Sequence, residues 1–143
     1  MKFQYNDGGR AAAGYKGAAR DCACRAIAIA TGLPYQAIYD RLNELGKCER
    51  TGRRKTGRTT ARGGAYSATV RKCMQSLGWR WVPTMKIGQG CRVHLRAGEL
   101  PAGRLVVVVS KHLLAVIDGV IHDTFEDSRD GTRCVYGYFT KGE

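Results

Sequence analysis

Four short apolar runs near the C-terminus constrain this chain more than anything before them. RLVVVVS, HLLAVID, VIHDTF and CVYGYF are rich in β-branched and aromatic residues and are separated by Ser-Lys, Asp-Gly and a polar SRDGTR segment, the pattern of strands joined by short connections. Asp118-Gly119 is a strong signal for a two-residue hairpin loop. With those residues in the loop, Ile117 faces Val120, Ala115 faces His122 and Leu114 faces Asp123. Opposed residues share a face, as do alternate residues on one strand, so His112, Leu114 and Asp123 are expected on one side of the sheet. His112 and Asp123 become diagonal neighbours, about 7–8 Å apart at Cα, a span that an imidazole and a carboxylate bridge with a hydrogen bond. His122 is expected on the opposite side, which leaves His94 as the other histidine to weigh.

The residues before these strands read as helices. Asp21 is a good N-cap residue, CACRAIAIAT follows, and Gly32 supplies a stop, so a helix is expected over residues 22–31. Ala23, Ala26, Ile27 and Ala30 share one face, small enough to let a sheet or a second helix approach. Pro34 suits a helix start, and Ile38, Leu42 and Leu45 carry a 3.6-residue period up to Gly46, read as the end. A third helix is expected over residues 65–77, with Gly78 as its stop, and WRWVPTM as a strand with Pro83 at an edge or an end. Helices first and strands last make an α+β fold, N-terminal helices packed on a C-terminal antiparallel sheet of about four to five strands.

At 143 residues the chain has the size of a single domain with its own core. Residues 1–20, rich in Gly, Ala and Arg without a sustained period, read as an arm that gains order only by docking on the domain. The opening MKFQYNDGGR lacks the apolar run of a secretory signal, and the longest apolar stretch, Leu105 to Val109, is far too short to span a bilayer. A cytoplasmic protein with no membrane contact is therefore expected. Its six cysteines, at 22, 24, 48, 73, 91 and 134, are then expected to be reduced, most of them as small buried hydrophobes.

A cysteine attacks as its thiolate, and a helix N-terminus beside an imidazole stabilises that anion near neutral pH. Cys22 stands in the first turn of the first helix, whereas Cys24 lies about 200° further round and faces elsewhere. A single cysteine in such a chain is more often an inert core thiol. The same-face pair of His112 and Asp123 changes that balance, because a carboxylate on an apolar hairpin needs a partner and an acid that orients an imidazole completes a triad. Cys22 is read as nucleophile, His112 as general base and acid, and Asp123 as the orienting acid.

A cysteine at the head of a buried helix, followed about ninety residues later by a histidine opening an antiparallel hairpin whose second strand carries an acid, resembles the papain-like cysteine peptidase superfamily. Its compact members, such as the peptidase domains that process double-glycine leader peptides, are nearest in size and order. The runs YNDGGRAAAGYKGAARDCACRAIAIATGLPYQAIYDRL and LPAGRLVVVVSKHLLAVIDGVIHDTFEDSRDGTRCVYGYF are also similar to small phage and mobile-element proteins. The superfamily resemblance implies a papain-like fold and a cysteine peptidase, an amidase or an acyl transferase acting on a peptide or protein substrate. It also implies a Gln a few residues before the nucleophile as oxyanion donor. Here Lys16 stands six before Cys22 with no Gln or Asn between them, so Lys16, Gln4 and Asn6 are the candidates for that role if the arm folds over the site.

The charge balance points outward. Lys and Arg number 24 against 12 Asp and Glu, a net charge of +12, which favours acidic partners. Residues 47–64 form a basic Gly/Arg loop holding Arg50, Arg53, Arg54, Lys55, Arg58 and Arg62. The alternative reading is a non-catalytic papain-like module that binds nucleic acid or an acidic protein through this loop, although charge runs are as often merely solvated. Trp79, Trp81, Tyr136 and Tyr138 suit base stacking, but at strand alternation they more often pack. Cys22, Cys24, Cys91 and His94 match no common zinc spacing, and GRRKTGRTT lacks the ending of a phosphate-binding loop. No metal and no cofactor is expected.

Overall fold

The structure, a computed structural model, describes residues 1–50 and 57–141. In chain order its elements are β1 Lys2–Tyr5, α1 Cys22–Thr31, α2 Tyr35–Lys47, α3 Ser67–Ser76, β2 Arg80–Pro83, β3 Arg104–Val109, β4 His112–Ile117, β5 Val120–Asp123 and β6 Val135–Thr140. Among the described residues they make an α+β fold of three helices and one six-stranded sheet, ordered β1-β5-β4-β3-β6-β2. Its strands pair antiparallel except for β1, which runs parallel to β5. The sheet is thus larger than expected, and mixed, because residues 2–5 leave the arm and add a strand at the edge of β5. All four residues of β1 are exposed, so this strand has no buried face to write an alternating pattern.

α1 occupies the range expected for it and is buried on nearly every side. Its alanines let it lie close against β4. It ends at Gly32, whose φ of 74° is left-handed and whose N–H returns to the Ala28 carbonyl, a conformation glycine adopts without steric cost. α2 and α3 complete a helical layer over Val106, Ala115 and Phe139. α2 continues past Gly46, so this glycine is not the stop it resembles. A Cβ there would overlap the Thr59 carbonyl, whose backbone crosses the helix at that point.

The opposite face of the sheet is buried too. Leu105, Val107, Val109, Leu114, Val116, Ile121 and Val135 lie under Leu95, with Val93 and Leu100 beside it, from the irregular connection between β2 and β3. Each fully buried aliphatic side chain in this second core contributes on the order of 1.5–3 kcal/mol. The cover is fastened by a disulfide between Cys91 and Cys134, which overturns the expectation of six reduced thiols. The Val135 N–H donates to the Val93 carbonyl, and His94 bridges to Cys134. These contacts bring the two cysteine Cα atoms to 5.8 Å, an ordinary disulfide span. No helix of the described residues is long and apolar enough to cross a membrane.

Candidate active site

The hairpin forms in the expected register, with Ile117 opposite Val120, Val116 opposite Ile121 and Ala115 opposite His122. The rung expected between Leu114 and Asp123 is not part of the ladder. Ala115 packs on the helical side of the sheet, and Leu114 and Ile121 pack on the other. Strict alternation would therefore aim both His112 and Asp123 away from the helices. Both stand past the last β4–β5 rung, at the strand ends, where His112 pairs with Val109 and Asp123 with Tyr5, and there they meet the first turn of α1. The continuation of β1 steadies this end of the sheet, since the Asn6 N–H donates to the Asp123 carbonyl at 2.8 Å.

His112 Nε2 lies 2.6 Å from Asp123 Oδ2. The ring's other nitrogen, Nδ1, is not engaged by Asp123, and Cys22 lines the same cleft as the imidazole, close enough for each group to shift the other's titration. The Leu113 backbone N–H is a further group that favours the Cys22 thiolate. Burial alone would raise the Cys22 thiol, but the His112 bond, the Leu113 N–H and the charges of His112 and Arg25 hold it below the ordinary cysteine value. For His112, burial alone would lower the imidazole, yet its bonds to Asp123 and Cys22 push it up to about 9. Both shifts favour a thiolate and imidazolium pair near neutral pH. Cys24 behaves oppositely: fully buried, with its sulfur toward the Tyr35 carbonyl, it is pushed up to about 12 by desolvation and stays an inert thiol.

Arg25 is the residue of this cluster that the sequence reading missed. One turn after Cys22, it pairs through Nη1 with Asp21 Oδ1, and its Nη2 lies 3.5 Å from Asp123 Oδ1. Asp21, the expected N-cap, makes no capping bond. It is 1% exposed and instead takes the Tyr35 hydroxyl at 2.6 Å and Arg10 Nε at 3.2 Å. The charges thus run in sequence from Arg10 through Asp21, Arg25 and Asp123 to His112 and Cys22. A signal was available, since Arg25 is the lone charge in CACRAIAIAT, three residues from Cys22 and so on its side of the helix.

A cleft of about 530 Å³ opens over Cys22 and His112. Gly63, Gly64, Ala65 and Ser67 line it together with Val108, Lys111, Leu113 and Tyr136, and Arg20 and Arg58 also face it. An apolar recess of about 230 Å³ adjoins it, sharing Ala65, Val108, Leu113 and Tyr136 and reaching Val70, Trp81 and Phe139. Trp81 and Tyr136 are therefore walls of this recess.

The three oxyanion candidates do not line the cleft. The Gln4 amide donates to the Tyr5 carbonyl at the surface, Asn6 bonds to the Gly8 N–H and to His122, and the Lys16 carbonyl takes a bond from Arg62. The arm runs along the helices rather than over the site, with Tyr15 stacked on Tyr39 at 4.5 Å. The donors left for an oxyanion at this end of the site are the amides of the first turn of α1, which have no partner within a helix.

Of the basic residues, Arg58 faces the cleft, Arg62 ties the arm and Arg50 is exposed, whereas Arg53, Arg54 and Lys55 lie outside the described residues. His122 bonds to Asn6 and His94 to Glu99, so neither competes for Cys22. The disulfide takes Cys91 out of the four-residue zinc set. Comparison with known protein families, with curated proteins and with solved structures finds no match.

Proposed function

We propose that this chain is a papain-like thiol hydrolase, a cysteine peptidase or amidase, or an acyl transferase that forms the same thioester. One observation carries the reading: at the start of a buried helix, Cys22 shares one cleft with His112, whose Nε2 lies 2.6 Å from Asp123 Oδ2, with the thiol lowered and the imidazole raised by their interaction. The Cys22 thiolate adds to a carbonyl carbon, and the α1 amides face the oxygen that gains the electron pair. His112 gives its Nδ1 proton to the departing amine as the C–N bond breaks. It then takes a proton from the water or amine that adds to the thioester, and the thiolate leaves. Asp123 holds the ring so that Nδ1 points at sulfur.

Alkylation by iodoacetamide at pH 7 tests this directly. Cys22 is expected to react at least about tenfold faster than Cys48, the exposed free thiol. Equal labelling of the two would sink the proposal. The pH profile has a defined sign. Turnover rises through a pKa below the ordinary cysteine value, as the thiolate forms, and falls near pH 9, as His112 loses the proton meant for the leaving group. Asp123→Asn should bring the falling limb to lower pH and cut turnover by about 10²-fold.

A further inference from the structure

Each catalytic residue follows closely on a basic one that lines the same cleft: Arg20 lies two before Cys22, and Lys111 one before His112. Arg58 adds a third cation, and no Asp or Glu is among the lining residues. Arg20 and Lys111 form no ion pair with the described residues. Arg62 and Arg58 are engaged with backbone carbonyls, and Arg25 with two carboxylates. Lys111 is also held at an uncommon backbone angle. It is the second residue of the two-residue turn between β3 and β4, with φ of 57°, where glycine or asparagine sits at less cost. A lysine kept in that conformation gives the cleft that holds His112 a cation, which a glycine would not.

We infer that the cleft selects acidic acyl substrates, peptide segments that set an Asp or Glu carboxylate against Arg20 and Lys111 beside the carbonyl that Cys22 attacks. The inference rests on the proposed thiol chemistry and adds the substrate class. The strip Gly63, Gly64 and Ala65 leaves room for an extended backbone, and the adjoining recess takes an apolar side chain. A nucleic acid would match the charge, but it offers no acyl carbonyl to the thiolate at the cleft floor.

Two alkylating agents of similar size read the charge of the cleft without any substrate. Iodoacetate carries a carboxylate and iodoacetamide does not, and each transfers its carbon to the thiolate with loss of iodide. Relative to a small free thiol in the same buffer, the iodoacetate-to-iodoacetamide rate ratio at Cys22 should be about tenfold higher at low salt and fall toward unity in 0.5 M salt, as steering by fixed charge requires. In the Arg20→Gln, Lys111→Gly double variant the ratio should fall most of the way to that of the free thiol, Arg58 being the cation that remains, and an unchanged ratio would overturn the inference. A wild-type ratio already equal to that of the free thiol overturns the inference even where Cys22 labels selectively, while loss of selective labelling removes the thiol chemistry itself. Protection supplies the second arm. A capped heptapeptide of six glutamates around one leucine should shield Cys22 from iodoacetamide, and its lysine counterpart should not. Equal shielding by both, or shielding by a DNA oligonucleotide but not by the acidic peptide, would also overturn it.

Discussion

The two faces of the sheet are closed by different means. On one face lie regular helices, and the packing of α1 is fixed by its small side chains and by the buried charges that run from Arg10 to His112. On the other face lies an irregular connection, held by apolar contacts around Leu95 and by the Cys91–Cys134 disulfide. A second buried arginine belongs to this side. Arg133 is 5% exposed, pairs with Asp127 and donates to the Ser110 carbonyl in the turn that precedes His112. The reactive groups stand where the two systems meet, at the ends of β4 and β5. The helical face carries the charges around Cys22, and the loop face holds the turn that precedes His112.

The largest expected effect follows from breaking the helical side. Arg25→Met removes the cation shared by Asp21 and Asp123, and Asp21 is too deeply buried to recover that loss from water. Separating one partner from a buried pair costs about 3–5 kcal/mol, to be read as a fall in the urea midpoint at constant slope. The Cys22 alkylation profile should shift to higher pH in the same variant, because Arg25 is one of the charges that lower the thiol. A stability loss with an unchanged profile would show that Arg25 serves packing alone.

Breaking the loop side should cost less and leave the chemistry in place. Cys91→Ala with Cys134→Ala removes a link between residues 43 apart, an expected loss of about 2–4 kcal/mol. Thermal unfolding measures it. Selective labelling of Cys22 should survive, since neither cysteine lines the cleft. Were labelling to fall as far as stability, the two faces would not be the separable systems described above.

The legible parts of this fold were those with a local cause. The limits of α1 could be read from Asp21 and Gly32, and the hairpin register from Asp118-Gly119, where Gly119 takes a φ of 78° and Asp118 one of 48°. The nearness of His112 to Asp123 followed from the hairpin register, whereas their meeting with Cys22 at the strand ends runs against the alternation that the register implies. What could not be read depended on contacts distant in sequence. β1 is exposed and pairs with a strand more than a hundred residues away, and the Cys91–Cys134 bond needs the sheet before the cysteines become neighbours. Gly46 was read as a helix stop because nothing nearby in sequence announces the approach of Thr59. Asp21 was misassigned, and its partner Arg25 missed, for a different reason: a capping rule gave Asp21 a local task, while burial gave it a tertiary one.

That distinction for Asp21 has its own test, with the smallest expected effect. If Asp21 anchors the charge sequence rather than capping α1, its stabilising partners are Arg25, Arg10 and the Tyr35 hydroxyl, not the amides of the first turn. Tyr35→Phe removes the hydroxyl alone and keeps the ring that packs against Tyr15 at 5.4 Å. Loss of a hydrogen bond to a buried charged group costs about 1.5 kcal/mol, visible in the urea midpoint. A cap bond, had Asp21 made one, would be untouched by this change. A Tyr35→Phe protein as stable as the parent would therefore return Asp21 to the cap. A loss of the expected size, with iodoacetamide labelling of Cys22 unaltered, would place the hydroxyl in the support of the helical face and outside the reacting groups.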